Sequence, residues 1–323
     1  MICSKTPFRF SFIGGGSDLP FFYRQNTGRI ISSSINKYLY IYINKSFYNS
    51  YNLSYKKKEN VLQLNQIKHP LVRESLKIIN FKDSVEISSM AEIPKGTGLG
   101  SSSTFTVGLI KALMSYSEKK ISPSKLAKIA CKVEIEKCHQ KIGKQDQYAA
   151  AYGGFNKFEF YSNEAVKRNK INLTKKNFKE LSESLLFFYT GSSRSSSNIL
   201  SKISSAKVSD NYKILKNMTN LVNDFSYNLK NFDLKNLGEI LHTNWSYKKE
   251  LTSDISNKYI DECYNIALKS GAYGGKLAGA GKSGFLVFIA EKKDHPKIKK
   301  RLNNLHYIDI QLSELGSTSF KLS

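Results

Sequence analysis

The spacing of apolar positions changes several times along this chain, and each change predicts an element. Residues 5–13 read as a short strand that ends at Gly14, Gly15 and Gly16. Residues 30–35 and 38–43 are β-branched and aromatic and predict strands; 70–79 predicts a helix and 84–88 a strand. A glycine- and serine-rich loop at 94–103 then opens onto Phe105, Val107, Leu109, Ile110, Leu113 and Met114 at helical spacing. A second helix is predicted over about 123–138, with Leu126, Ile129, Ala130 and Val133 as its apolar stripe. Residues 155–160 and 185–189 read as strands, most of 195–270 as helix, and 284–290 and 307–312 as closing strands around one short helix. The order is α+β rather than the regular alternation of a doubly wound sheet. A stretch rich in Lys, Asn and Arg near 165–180 places a boundary, dividing the chain into 1–170 and 171–323.

Composition narrows the class. The chain has 323 residues, of which 40% are hydrophobic and 24% charged, a globular balance that excludes disorder and collagen. The longest nearly pure apolar stretch, 284–290, is too short to span a bilayer, and no signal-peptide pattern opens the chain, so a cytoplasmic location is expected. Cys3, Cys131, Cys138 and Cys263 show no paired ligand spacing and read as free thiols. Fifty basic against 26 acidic residues give a net charge of +24. The basic runs at 56–58 and 297–301 are short, and no nucleic-acid-binding pattern accompanies them, so neither nucleic acid nor membrane is expected as a partner.

Chemistry concentrates in glycine clusters. Gly96, Gly98 and Gly100 alternate directly before a helix, which lets backbone N–H groups converge on a phosphate at the helix N-terminus. Neither a dinucleotide fingerprint nor a nucleophile elbow is present. The cluster at 274–284 ends in Gly281-Lys-Ser283 but lacks the glycine spacing of a P-loop. Asp146, in the turn 143–147, reads either as a proton acceptor or as a helix cap. Glu136 lies three residues after Val133 and seven after Ile129, so it shares the apolar stripe and wants either Mg²⁺ or a buried cation; Glu134 falls off that stripe. Arg9 and Asp18 bracket the first glycine turn, and Arg194 stands at a strand-to-helix junction where it reads as a phosphate contact or a solvated loop residue.

Together these segments resemble the GHMP kinases. The likeness rests on Pro7-Phe-Arg-Phe-Ser-Phe-Ile-Gly-Gly-Gly-Ser-Asp18, on Pro94-Lys-Gly-Thr-Gly-Leu-Gly-Ser-Ser-Ser103, on Gly143-Lys-Gln-Asp-Gln147 and on Lys276-Leu-Ala-Gly-Ala-Gly281. The resemblance implies a GHMP kinase fold, with an N-terminal domain like ribosomal protein S5 domain 2 and a C-terminal ferredoxin-like domain. It also implies ATP and Mg²⁺, with Gly96, Gly98, Leu99, Gly100, Ser101, Ser102 and Ser103 around the phosphates. Ser102 and Glu136 would hold the metal, with Glu134 a second choice. Asp146 would be the base and Arg9 its partner. Gly15, Gly16, Ser17, Asp18, Gly279, Gly281 and Arg194 would surround the acceptor. Gly-Gly-Gly-Ser-Asp in the first motif resembles the sugar-1-kinase branch, which makes a sugar phosphate, a heptose 7-phosphate above all, the expected acceptor. An unphosphorylated sugar such as fucose, or a non-catalytic polyanion-binding role on the same scaffold, are the competing expectations.

Overall fold

The computed structural model describes residues 1–191, 196–205 and 208–322. The first half contains β1 (Ile2–Ile13), α1 (Pro20–Tyr23), β2 (Gly28–Lys45), β3 (Tyr51–Ser54), β4 (Lys58–Val61), α2 (Pro70–Ile78), β5 (Val85–Ala91), α3 (Ser101–Tyr116), α4 (Pro123–Cys131), α5 (Gln145–Tyr152), β6 (Phe155–Phe160) and β7 (Val166–Lys170). The second contains α6 (Lys175–Glu183), β8 (Leu185–Tyr189), α7 (Ser196–Ser205), α8 (Val208–Asn231), α9 (Leu234–Glu250), α10 (Lys258–Lys269), β9 (Gly274–Leu277), β10 (Phe285–Ile289), α11 (His295–Arg301), β11 (His306–Ile308), β12 (Leu312–Ser313) and β13 (Thr318–Lys321).

The two predicted strands at 30–35 and 38–43 are one continuous 18-residue strand, β2, long enough to pair with β1, β5, β6 and β12 at different points along its length. The first sheet runs β13-β1-β2-β5-β3-β4, with β6 and β7 extending it from β2. Helix α3 lies across β1 and β2. The second sheet is antiparallel in the order β11-β8-β10-β9. Strands β12 and β13 come from the far end of the chain yet pair with β2 and β1, so residues 312–321 belong in space to the first sheet.

A shared aromatic core fixes the two halves together. Phe10 meets Phe187 of β8 edge-on at 5.5 Å between ring centroids, and Phe12 meets Phe225 of α8 at 5.6 Å. Strand alternation turns Phe8, Phe10 and Phe12 to one face of β1 and leaves Arg9 and Ser11 on the other. The face opposite this core is where the glycine loops gather.

Candidate active site

The pairing of β1 with β2 breaks register between Pro7 and Arg9, and such an irregularity re-aims the side chain beside it. Arg9 reaches α5: its Nε donates to Asp146 Oδ1 and its Nη2 to Asp146 Oδ2, both at 2.7 Å. Its Nη1 donates to the carbonyl oxygen of Gly98 at 2.7 Å, and its backbone N–H to that of Leu99 at 3.1 Å. Arg9 is buried, with 6% of its side chain exposed, whereas Asp146 keeps 25% open to solvent. The pair therefore presents its carboxylate outward and its guanidinium inward.

The loop from Gly96 to Gly100 lies against this pair. Gly98 and Gly100 both have φ of +84°, in the left-handed region that disfavours side chains. A Cβ on Gly100 would stand 3.3 Å from Arg9 Cγ, and one on Gly98 only 2.3 Å from the carbonyl oxygen of Ala278. The two glycine clusters thus meet backbone to backbone, since a Cβ on Gly279 would lie 2.3 Å from Gly98 Cα. Leu99 points into the core, while Gly96, Gly98, Gly100, Ser101 and Ser102 remain half-buried at the surface. Gly100 caps α3 with no side-chain hydrogen bond, so the first-turn N–H groups of that 16-residue helix are open to an anion. Gly281 packs its backbone against Ile255 rather than facing the same space.

Glu134, not Glu136, faces inward. The helix predicted over 123–138 is α-helical only to Cys131 and continues as a π-helical turn, Lys132–Lys137. The wider turn shifts register, which carries Glu134 onto the buried side and leaves Glu136 exposed. Glu134 Oε1 accepts from Ser102 Oγ at 2.8 Å and Oε2 from Gln147 Nε2 at 2.6 Å. Burial pushes its carboxyl up to about 7 and the charge of Asp146 adds to the rise, against the hydrogen bonds of Ser103, Ser102 and Gln147. A buried carboxylate with only neutral donors is short of positive charge, and with the Ser102 hydroxyl it offers the hard oxygen ligands that suit Mg²⁺.

Asp18 joins the first glycine turn to the start of α5. Its Oδ1 accepts from Gly16 N–H at 3.2 Å and its Oδ2 from Gln145 N–H at 3.0 Å. Gly143 must be glycine here, because a Cβ would sit 1.9 Å from Asp18 Oδ2. Burial raises the Asp18 carboxyl to about 6, with Asp146 adding to the rise and those amides opposing it. Ser17, expected at the acceptor, is instead buried, and its hydroxyl both donates to Arg29 O and accepts from Arg29 N–H at 3.0 Å. Gly15 and Gly16 stay half-buried beside Asp18. Among the described residues Ser11 Oγ and Gln145 Oε1 are buried without hydrogen-bond partners, and both side chains lie near Gly15, within 4 Å of where its Cβ would be. Arg194 lies outside the described residues.

The sequence motifs contain Gln147 and Lys276 but assign neither a role, and Lys282 reads from sequence as either a phosphate contact or a solvent-facing side chain. Lys276 Nζ donates to the carbonyl oxygens of Ser11 and Phe12 at 3.0 and 2.9 Å, tying the third glycine cluster to β1. Lys282, at φ +61°, bonds Asp254, which also takes Lys202 of α7. A lysine at a core strand position has a readable signal in its apolar neighbours; Gln147 had none. The assembled site holds an outward carboxylate on a fixed guanidinium, an open helix N-terminus and a carboxylate–hydroxyl pair. That set can hold an anion and a hard cation while taking a proton from a hydroxyl.

Among the described residues no helix is long and apolar enough to cross a membrane. The family model of the GHMP kinases N terminal domain matches residues 65–154, and that of the GHMP kinases C terminal matches 225–308. The chain is 30% identical to D-glycero-alpha-D-manno-heptose 7-phosphate kinase of Campylobacter jejuni, over 99% of both chains. Its fold is similar to that of a D-glycero-D-manno-heptose 1-phosphate kinase from Bacteroides thetaiotaomicron, with a TM-score of 0.84 and 24% identity across the whole of both chains. It is similar also to Lactococcus lactis galactokinase complexed with galactose, with a TM-score of 0.80 and 14% identity over 98% of this chain and 95% of that one. Two family models, a full-length relative and a shared α+β fold agree with the glycine-loop geometry: the chain belongs to the GHMP kinases.

Proposed function

We propose that this chain transfers the γ-phosphoryl group of ATP to the anomeric C1 hydroxyl of D-glycero-D-manno-heptose 7-phosphate, giving the 1,7-bisphosphate. The observation that carries the reading is the Arg9–Asp146 pair, because Arg9 touches the proposed base and the phosphate loop at once. The full-length likeness to a heptose 7-phosphate kinase supports this acceptor over others.

Phosphoryl transfer needs held phosphates, charge neutralisation and a group that takes the hydroxyl proton. The loop Gly96–Ser103 and the N-terminus of α3 hold the phosphates. Ser102 and Glu134 would hold Mg²⁺, which would supply positive charge to offset that of the phosphates. Asp146 accepts the C1 hydroxyl proton: each of its oxygens keeps a lone pair beyond the one bonded to Arg9. The anomeric hydroxyl is more acidic than an ordinary sugar alcohol, so a carboxylate is an adequate base. Arg9 fixes the direction of that carboxylate and places positive charge beside the transferring group. Asp18, with Ser11 and Gln145, meets sugar hydroxyls, and the family resemblance assigns Arg194 to the 7-phosphate. The product would feed nucleotide-activated heptose for a surface polysaccharide.

A coupled ADP-release assay with Mg²⁺ tests this against heptose 7-phosphate, the unphosphorylated heptose, fucose and galactose. Selective turnover of the 7-phosphate is expected. Preference for a neutral sugar would overturn the acceptor, and no turnover of any would overturn the reaction.

A further inference from the structure

Two buried lysines stand behind the junction of the glycine loops. Lys248 of α9 donates from Nζ to the carbonyl oxygen of Leu277 at 3.1 Å and to that of Gly279, and its Nζ lies 5.6 Å from the centre of the Trp245 ring. Lys276 of β9 makes its two bonds to the Ser11 and Phe12 carbonyls. Among the described residues, neither lysine lies within ion-pair distance of a carboxylate. The charged groups that face them are cations: Arg9 from β1 acts on both, and Lys248 acts on Lys276. Arg9 itself is paired with Asp146.

Buried positive charge without an acid is costly, and carbonyl dipoles recover only part of the loss. Burial, with Arg9 adding to it, pulls the Lys248 amine down to about 7. Lys276 is driven well below its ordinary range by burial, Lys248 and Arg9. A neutral Lys248 amine has two N–H donors, and both are spent on Leu277 and Gly279. Its lone pair is free for one more proton.

The position of Gly279 connects this amine to the nucleotide. Its carbonyl takes Lys248, while its Cα lies against Gly98, whose own carbonyl takes Arg9. An anion on the open side of this junction therefore favours the charged form of an amine at its back.

We propose that Lys248 is a proton-coupled positioning residue: its amine takes a proton from solvent when a nucleotide polyphosphate binds at the glycine loops, and the ammonium then clamps the third loop onto the phosphate loop. The inference rests on the nucleotide site of the reading above and deepens it.

Titration calorimetry with ADP and Mg²⁺ at pH 8, in Hepes and in Tris, counts protons taken up on binding. Wild-type protein is expected to take up roughly half a proton or more per ADP. Lys248→Arg, whose charge is permanent, should bind ADP with that uptake gone. Lys248→Met should lose the uptake and bind about tenfold more weakly, with an affinity no longer falling between pH 7 and 8.5 as the wild-type affinity does. ADP binding without proton uptake in the wild type overturns the inference and leaves the nucleotide site standing. Uptake unchanged in Lys248→Arg does the same. Failure of ADP to bind at all overturns both.

Discussion

Arg9 and Asp146 are 137 residues apart in the chain and form a two-bond pair in which every donor and acceptor lies at 2.7 Å. The third arm of the same guanidinium holds Gly98. One planar group thus sets the direction of the carboxylate and the height of the phosphate loop together. A lysine, with its single point of charge, cannot do both.

Arg9→Lys should therefore lower kcat and raise KM for ATP together. Asp146→Asn should cost about 10²–10⁴ in kcat while leaving ADP affinity within a few-fold, since the amide keeps the shape but not the basicity. Steady-state kinetics with ADP titrations separates the two. Equal losses in both parameters for Asp146→Asn would remove it as the base.

The two glutamates of the π-helical turn should separate cleanly. Glu134→Gln should raise the Mg²⁺ concentration needed for half-maximal turnover by tenfold or more, on the scale of about 1–3 kcal/mol for a charged contact. Glu136→Gln, altered at an exposed position, should stay within about twofold. Equal effects would place the metal elsewhere.

Gly98→Ala and Gly279→Ala each press a methyl into the opposing loop and hold a side chain at positive φ. Left-handed backbone costs about 1–2 kcal/mol on its own, and the clash adds to it. Both variants should lose ATP affinity by more than tenfold and unfold at lower denaturant than wild type. Normal ATP affinity in either would mean that the loops do not meet around the nucleotide.

Asp18 gives a pH signature. Its folded value, about 6, is above the ordinary carboxylate 3.8, so the folded protein binds more protons than the unfolded chain between those values. Stability from this group is accordingly lost as pH rises through that window. Asp18→Asn cannot ionise, so its stability relative to wild type should increase by up to about 3 kcal/mol between pH 4 and pH 7, whatever its offset at acid pH. Parallel urea melts across that range measure the difference. A flat difference would mean that Asp18 titrates normally.

Elements with strong local periodicity were legible in sequence: β1, α2, α3, β6, β8, α9 and β10 fall where apolar spacing placed them. Glu134 was hidden because α-helical spacing was extended through residues that form a π-helical turn, and one changed turn reverses which glutamate is buried. The same periodicity could not reveal β3, which is only four residues long, or β4 and β7, which are short and polar and stabilised by pairing along their length. Arg9 and Asp146 were each nameable from their motifs, but their bond depends on the strand irregularity and the packing of α5, which local sequence does not encode. Lys248 sits in an amphipathic helix rich in lysines, and only the path of the third glycine loop sets it apart from Lys249.

The return of residues 312–321 to the first sheet has a consequence for synthesis on the ribosome. Lys5 of β1 pairs with Thr318, and Ser34 of β2 with Ser313. At about 5–20 residues per second, the outer edge of β1 waits roughly 15–60 s for its neighbour after it has emerged. During that interval a strand carrying Arg9 and three core phenylalanines has one edge open to any passing chain. Until β13 covers residues 2–5, that open edge is a template on which another strand can pair.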